Sequence, residues 1–159
     1  MNNGRPEKHV ISASAVVPAR RERVYSLIAN YRDGHPRIVP KQFSNMVVEA
    51  GGIGAGTIIR FQMSVFGRKQ TFRAAVTEPE AGRILVETYL ESNGAVTTFT
   101  VDPATAPADC RVTISTELKV RGGFLGVIER TISTLLLRPI YEKELANLAR
   151  VATGPFGNV

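Results

Sequence analysis

The chain has 159 residues, with twenty Lys plus Arg against fourteen Asp plus Glu, a net charge of +6, 43% hydrophobic and 21% charged residues. This composition is that of an ordinary globular protein, and the length suits one domain that buries roughly 70% of the surface its unfolded form exposes. One cysteine, Cys110, excludes an intrachain disulfide and a multi-cysteine metal site, and the longest apolar run, Leu135-Leu136-Leu137, is far too short to span a bilayer.

The polar start, Met1 to Lys8, reads as a flexible tail without the apolar core of a secretory signal, so a soluble cytoplasmic protein is expected. His9 to Val17 is β-rich and ends at Pro18, which cannot donate to a strand ladder. Ala19 to Asn30 places Val24, Leu27 and Ile28 at helical spacing, with Arg20, Arg21, Glu22 and Arg23 towards solvent. Tyr31 to Pro40, broken by Gly34, Pro36 and Pro40, predicts a second short helix followed by a loop.

Six further strands are predicted. Phe43 to Ala50 leads into the glycine run Gly51-Gly52-Ile53-Gly54-Ala55-Gly56, and Thr57 to Phe66 leaves it. In the latter, Thr57, Ile59, Phe61, Met63 and Val65 alternate with polar residues, the period of a half-buried strand. Lys69 to Glu78 sets Phe72, Ala74 and Val76 on one face. Arg83 to Leu90 follows, and Ser92-Asn93-Gly94 is a hairpin signal before Ala95 to Val101. After a loop from Asp102 to Asp109, Val112, Ile114, Thr116, Leu118 and Val120 give the cleanest alternation in the chain. Cys110, at the start of that segment, reads as a small core or surface residue rather than a nucleophile.

Gly122-Gly123 opens a last helix, Phe124 to Ala152, about 43 Å long at ~1.5 Å per residue. Its apolar stripe changes phase. Leu125, Ile128, Ile132, Leu135 and Leu136 share one face, while Tyr141, Leu145, Leu148, Ala149 and Ala152 cluster about half a turn away. Pro139 sits at the change and predicts a kink or local unwinding, with the first half facing a pocket and the second closing the core.

The opening strand, Val16-Val17-Pro18-Ala19 and the helix with Val24-Tyr25 resemble the start of the START and polyketide cyclase/dehydrase (SRPBCC) superfamily. The hairpin from Glu49 to Thr57, the spacing to Val76 and Pro79, and the ending Glu144-Leu145-Ala146-Asn147-Leu148 resemble it too, so that the likeness covers about residues 9 to 152. It implies an α+β helix-grip fold: a seven-stranded curved antiparallel sheet around the long C-terminal helix, with two short helices between strands one and two. The domain would span 9–152, between tails at 1–8 and 153–159. Members of the family bind lipids, sterols, polyketides or aromatic metabolites, and some are cyclases or dehydrases. The family shares no catalytic signature, so no catalytic residue carries over, and no cofactor is implied.

The glycine run is not a phosphate loop, because a strand rather than a helix follows it and no Gly-Lys-Ser or Gly-Lys-Thr is present; it reads as a hairpin needing positive φ. His35, near Asp33, Tyr31 and Arg37, is either an acid–base group or, in the reading preferred from sequence, a surface or capping histidine. His9 is isolated, and two histidines without cysteine partners argue against a zinc site, leaving only carboxylate-rich sites open in principle. Glu87 and Tyr89 share parity. They either point into the cavity as acid–base candidates, or Glu87 points outward while Ile84, Val86 and Leu90 line the interior.

Three functions remain open. The first is a binder or carrier of a hydrophobic small molecule, with a ligand-binding wall from Phe61, Met63, Phe72, Val76, Phe99, Ile114, Leu118, Ile128, Ile132 and Leu136, and with Glu87 and Tyr89 as its polar candidates. The second is a cyclase or dehydrase using an inward Glu87, Tyr89 or His35. The third is a protein- or RNA-interaction module with a filled core. The basic residues (Arg20, Arg21, Arg23, Arg32, Arg37, Lys41) are scattered, which reads as a solvated surface rather than a nucleic-acid footprint. No integral membrane association is expected, and a homo-oligomer stays open.

Overall fold

A computed structural model describes residues 6–90 and 94–155, with Val65 described by its backbone alone. Seven strands form one curved antiparallel sheet: β1 (Glu7–Val17), β2 (Phe43–Ala50), β3 (Ile58–Val65), β4 (Arg68–Glu80), β5 (Ile84–Tyr89), β6 (Val96–Pro103) and β7 (Cys110–Val120). Their order is β1-β7-β6-β5-β4-β3-β2, a meander from β2 to β7 with β1 returned to the far edge beside β7. Two helices accompany it, α1 (Arg21–Ala29) and α2 (Gly123–Thr153), with a 3₁₀ turn at His35–Arg37 between α1 and β2. This is the expected helix-grip architecture. Ser92 and Asn93 of the hairpin signal and the outer parts of both expected tails lie outside the described residues, while Gly94 takes the positive φ, 70°, of such a turn.

The strand alternation explains the layering. Ile11 and Ala13 on β1, Ile59 and Phe61 on β3, Ala74 and Val76 on β4, and Val112 and Ile114 on β7 are all buried on the sheet's inner face. Register keeps these residues together: Ala13 pairs with Ile114, Phe61 with Phe72, and Phe99 with both Leu85 and Ile114. Cys110 is fully buried at the start of β7. The free edge is different. Pairing of β2 with β3 slips twice, between Ser44 and Val47 and again between Val48 and Ala50, and Asn45 takes a φ of 51°.

Helix α1 buries Val24, Tyr25, Ile28 and Ala29. Arg23, on its flank, donates to the Ala152 carbonyl at 2.6 Å, satisfying an acceptor at the end of α2 where the helix dipole favours a cation. The glycine run does form a positive-φ loop, at Gly51, Gly52, Gly54 and Gly56. It also docks on the end of α1. Tyr31 N donates to Gly52 O at 2.9 Å and Gly54 N to Ala29 O at 2.9 Å. Glu78 accepts from Ala55 N at 2.8 Å and from the Tyr25 hydroxyl at 2.6 Å, tying loop, sheet and helix together.

Helix α2 corrects two expectations. It runs unbroken through Pro139, so the predicted unwinding is not seen. Pro139 and Leu135 both face solvent, where water can take the carbonyl that loses its helical partner. The helix also keeps one buried side along its length: Gly126, then half-buried Ser133 and Leu137, then Tyr141, Glu144, Leu148 and Val151. Most of the apolar residues of its first half therefore point away from the sheet, Leu136 and Leu137 excepted. Leu125, Ile128, Ile132 and Leu135 are 53%, 40%, 45% and 72% exposed.

Candidate functional site

Between the inner face of the sheet and α2 lies a cavity of about 280 Å³. Its wall is aromatic on one side. Phe61 meets Phe43, Phe72 and Tyr89 with ring centroids 5.6, 5.8 and 6.1 Å apart, and Phe72 meets Tyr89 edge-on at 5.9 Å. Each pair sits within the range in which aromatic quadrupoles attract. The strands impose this grouping, since Phe61 and Phe72 are register partners and Tyr89 pairs with Ala74 one strand on.

Nine of the twelve residues proposed from sequence line the cavity: Phe61, Met63, Phe72, Glu87, Tyr89, Phe99, Ile114, Leu118 and Leu136. Three do not. Val76 is buried beyond the cavity, where its backbone pairs with Gly56 and Thr57. Ile128 and Ile132 face solvent because α2 turns Ser133 and Leu137 inward instead.

The floor is polar. His35, read from sequence by preference as a surface or capping histidine, is 3% exposed. It stacks on Tyr31 with centroids 4.5 Å apart and meets the edge of Phe99 at 5.6 Å. Its Nδ1 lies 2.7 Å from the Ile28 carbonyl. A carbonyl only accepts, so Nδ1 carries a proton and Nε2 is the acceptor of the neutral ring. That Nε2 faces two carboxyl groups, Glu87 Oε1 at 3.9 Å and Glu144 Oε1 at 3.8 Å. Glu87 therefore points inward, against the outward orientation preferred from sequence. Leu85, Glu87 and Tyr89 share the inner face, and Ile84 and Val86 take the outer one.

Glu87 Oε1 accepts from the Tyr31 hydroxyl at 2.6 Å. Glu144, 4% exposed, has no hydrogen-bond partner for its Oε1. Burial, and then the neighbouring Glu87 carboxyl, push the Glu144 acid well above the usual carboxylate range. Beside it, the Tyr141 hydroxyl bonds Thr116 Oγ1, which bonds Thr97 Oγ1 at 2.7 Å. Burial raises the Tyr141 phenol to about 12 and the Tyr31 and Tyr89 phenols well above their ordinary value, so all three stay neutral donors. Among the described residues, no group of three or more His, Cys, Asp or Glu is placed to hold a metal ion.

Glu144 entered the sequence reading only as part of the C-terminal motif. The signal that could have found it is its spacing: Tyr141, Glu144 and Leu148 lie on one helical face, which puts a carboxyl among core residues.

The sequence pattern of the family described as polyketide cyclase / dehydrase and lipid transport matches residues 8–153. The chain belongs to that family. Solved structures of family-like fold agree. The KanY protein, solved by NMR, is 26% identical with a TM-score of 0.80, covering 93% of this chain and 99% of its own. ZhuI aromatase/cyclase from Streptomyces sp. R1128 is 13% identical with a TM-score of 0.74, covering 96% and 100%. Norcoclaurine synthase from Thalictrum flavum, solved with dopamine and hydroxybenzaldehyde, is 18% identical with a TM-score of 0.70, covering 92% and 87%. Among curated protein sequences, none matched the chain. Among the described residues, no helix is long and apolar enough to cross a membrane.

Proposed function

We propose that this family member binds a small, largely apolar molecule in the cavity between sheet and α2. The observation that carries the reading is the pairing of an aromatic wall with a compact polar floor inside one cavity. Apolar burial at ~25 cal/mol per Å² supplies affinity, and the floor orients the ligand. The volume, about 280 Å³, lies just below the roughly 300–1,000 Å³ typical of small-molecule sites. It therefore favours an aromatic metabolite over a sterol or long-chain lipid.

A second reading, an acid–base enzyme, is favoured by one specific arrangement. A carboxyl group that keeps its proton, Glu144, lies under 4 Å from an imidazole acceptor beside a second carboxyl group. Such a trio can donate a proton to a ligand oxygen while accepting one from a neighbouring carbon. The interaction-module reading required a filled interior, and the cavity argues against it.

Native mass spectrometry of the purified protein, followed by denaturing extraction, tests the binding reading. A co-purifying apolar compound of defined mass is expected. An apo protein that also ignores a panel of small aromatic compounds in calorimetry overturns it. Deuterium exchange next to the carbonyl of a bound ketone, followed by NMR, separates carrier from enzyme. Exchange no faster than in buffer rules out the acid–base role.

A further inference from the structure

We infer that the molecule held in this cavity carries a protonated amine, with its ammonium group seated between Glu87 and Glu144 and its aromatic body against Phe61 and Phe72. This deepens the binding reading above and rests on it.

The argument begins with what the floor lacks. No Lys or Arg lines the cavity among the described residues, yet two carboxyl groups do. Glu144 Oε1 is buried without a hydrogen-bond donor. His35 adds no donor in its neutral form, because its Nδ1 proton is spent on the Ile28 carbonyl and its Nε2 is an acceptor. Nε2 thus has two carboxyl oxygens within 4 Å, of which Glu87 Oε1 has a donor in the Tyr31 hydroxyl and Glu144 Oε1 has none. Buried carboxyl groups are retained at little cost only when paired and hydrogen-bonded.

An ammonium group brings what is missing, namely a positive charge and three N–H donors. A ketone or ether offers further acceptors, and a carboxylate adds like charge. The wall suits the same ligand, because the faces of Phe61, Phe72 and Tyr89 attract a cation as well as an aromatic ring.

A proton on Glu144, favoured by burial and by the Glu87 carboxyl, meets the same need as the ammonium. An arriving ammonium takes that proton's place, so binding releases a proton. The groups that face Glu144 are Glu87 on β5, His35 on the 3₁₀ turn, and the hydroxyls of Tyr31, Tyr89 and Tyr141. The three phenols stay protonated well past neutrality, so the released proton is the one that Glu144 holds.

The test is calorimetry with four probes of similar size: phenethylamine, phenethyl alcohol, phenylacetone and phenylacetate. The amine should bind at least about tenfold tighter than the alcohol and ketone, with phenylacetate weakest. Its heat should depend on the ionisation enthalpy of the buffer, which reports proton release, and its affinity should rise with pH until the amine itself loses its proton. Glu144→Gln should lose the amine preference and the proton release while keeping the alcohol. Equal or tighter binding of the alcohol or ketone overturns the cation inference and leaves the binding reading standing. Failure of all four probes overturns both. If Glu144→Gln does not fold, the wild-type buffer series decides alone: no proton release overturns the inference.

Discussion

At the scale of single residues, Glu144 links the site to stability. Its carboxyl loses solvent on folding and meets Glu87, so the folded chain holds this proton more tightly than the unfolded chain does. Between the two pKa values the native state binds the extra proton, and stability falls as pH rises. The contribution is intact below the unfolded value, about 4.3, and is lost as pH climbs through the raised folded value. Glu144→Gln, a neutral isostere, should match the wild type near pH ~5 and exceed it by a growing margin towards pH ~8. Thermal unfolding across that range checks it, and a constant gap between the two proteins would contradict it. Little of this was legible in the sequence. The apolar Ile84, Val86 and Leu90 favoured the opposite parity for β5, and only the pairing of Glu87 with Val76 fixes it inward. His35, flanked by Gly34 and Pro36, carries no local mark of burial; Tyr31, which stacks over it, is held by the glycine loop more than twenty residues on.

At the scale of elements, the sheet could be read from sequence because period-two alternation is a local pattern, set by the backbone of each strand alone. Helix α2 was harder to read. Its first half is apolar on the side away from the sheet and small or polar towards it, at Gly126 and Ser133, so hydropathy alone points the wrong way. The stability consequences separate the two faces. Leu145→Ala, at a site 2% exposed, should cost about 2–5 kcal/mol, whereas Ile132→Ser should stay within about 0.5 kcal/mol. Urea denaturation compares the two, and a large cost at Ile132 would mean that this outer face is covered. Gly126→Ala makes a sharper case. In an open helix the change gains about 1 kcal/mol. Here the added Cβ would run into the Arg121 carbonyl, so the variant should be destabilised instead.

At the scale of the whole molecule, the cavity is packing forgone, since interiors otherwise close to crystal-like density, and it is the space that the proposed ligand would fill. Filling it should therefore trade binding for stability. Ile114→Phe, placed on the inner face of β7 against the void, should leave the melting temperature unchanged or higher while weakening any aromatic ligand at least about tenfold. Unweakened binding in a folded variant would place the ligand elsewhere. An open seven-stranded sheet also has two edges, and they are treated differently. Helix α2 leans on β1 through Thr134, which meets His9 at 3.0 Å. Nothing comparable in the described hydrogen bonds covers β2, but its two register slips and the left-handed Asn45 break the straight row of unpaired amides that another strand would need. The irregular edge thus acts as a guard against self-templating. A chain that straightened it, by deleting one of the extra residues, would gain a cleaner hairpin and with it a surface on which copies could stack into fibres.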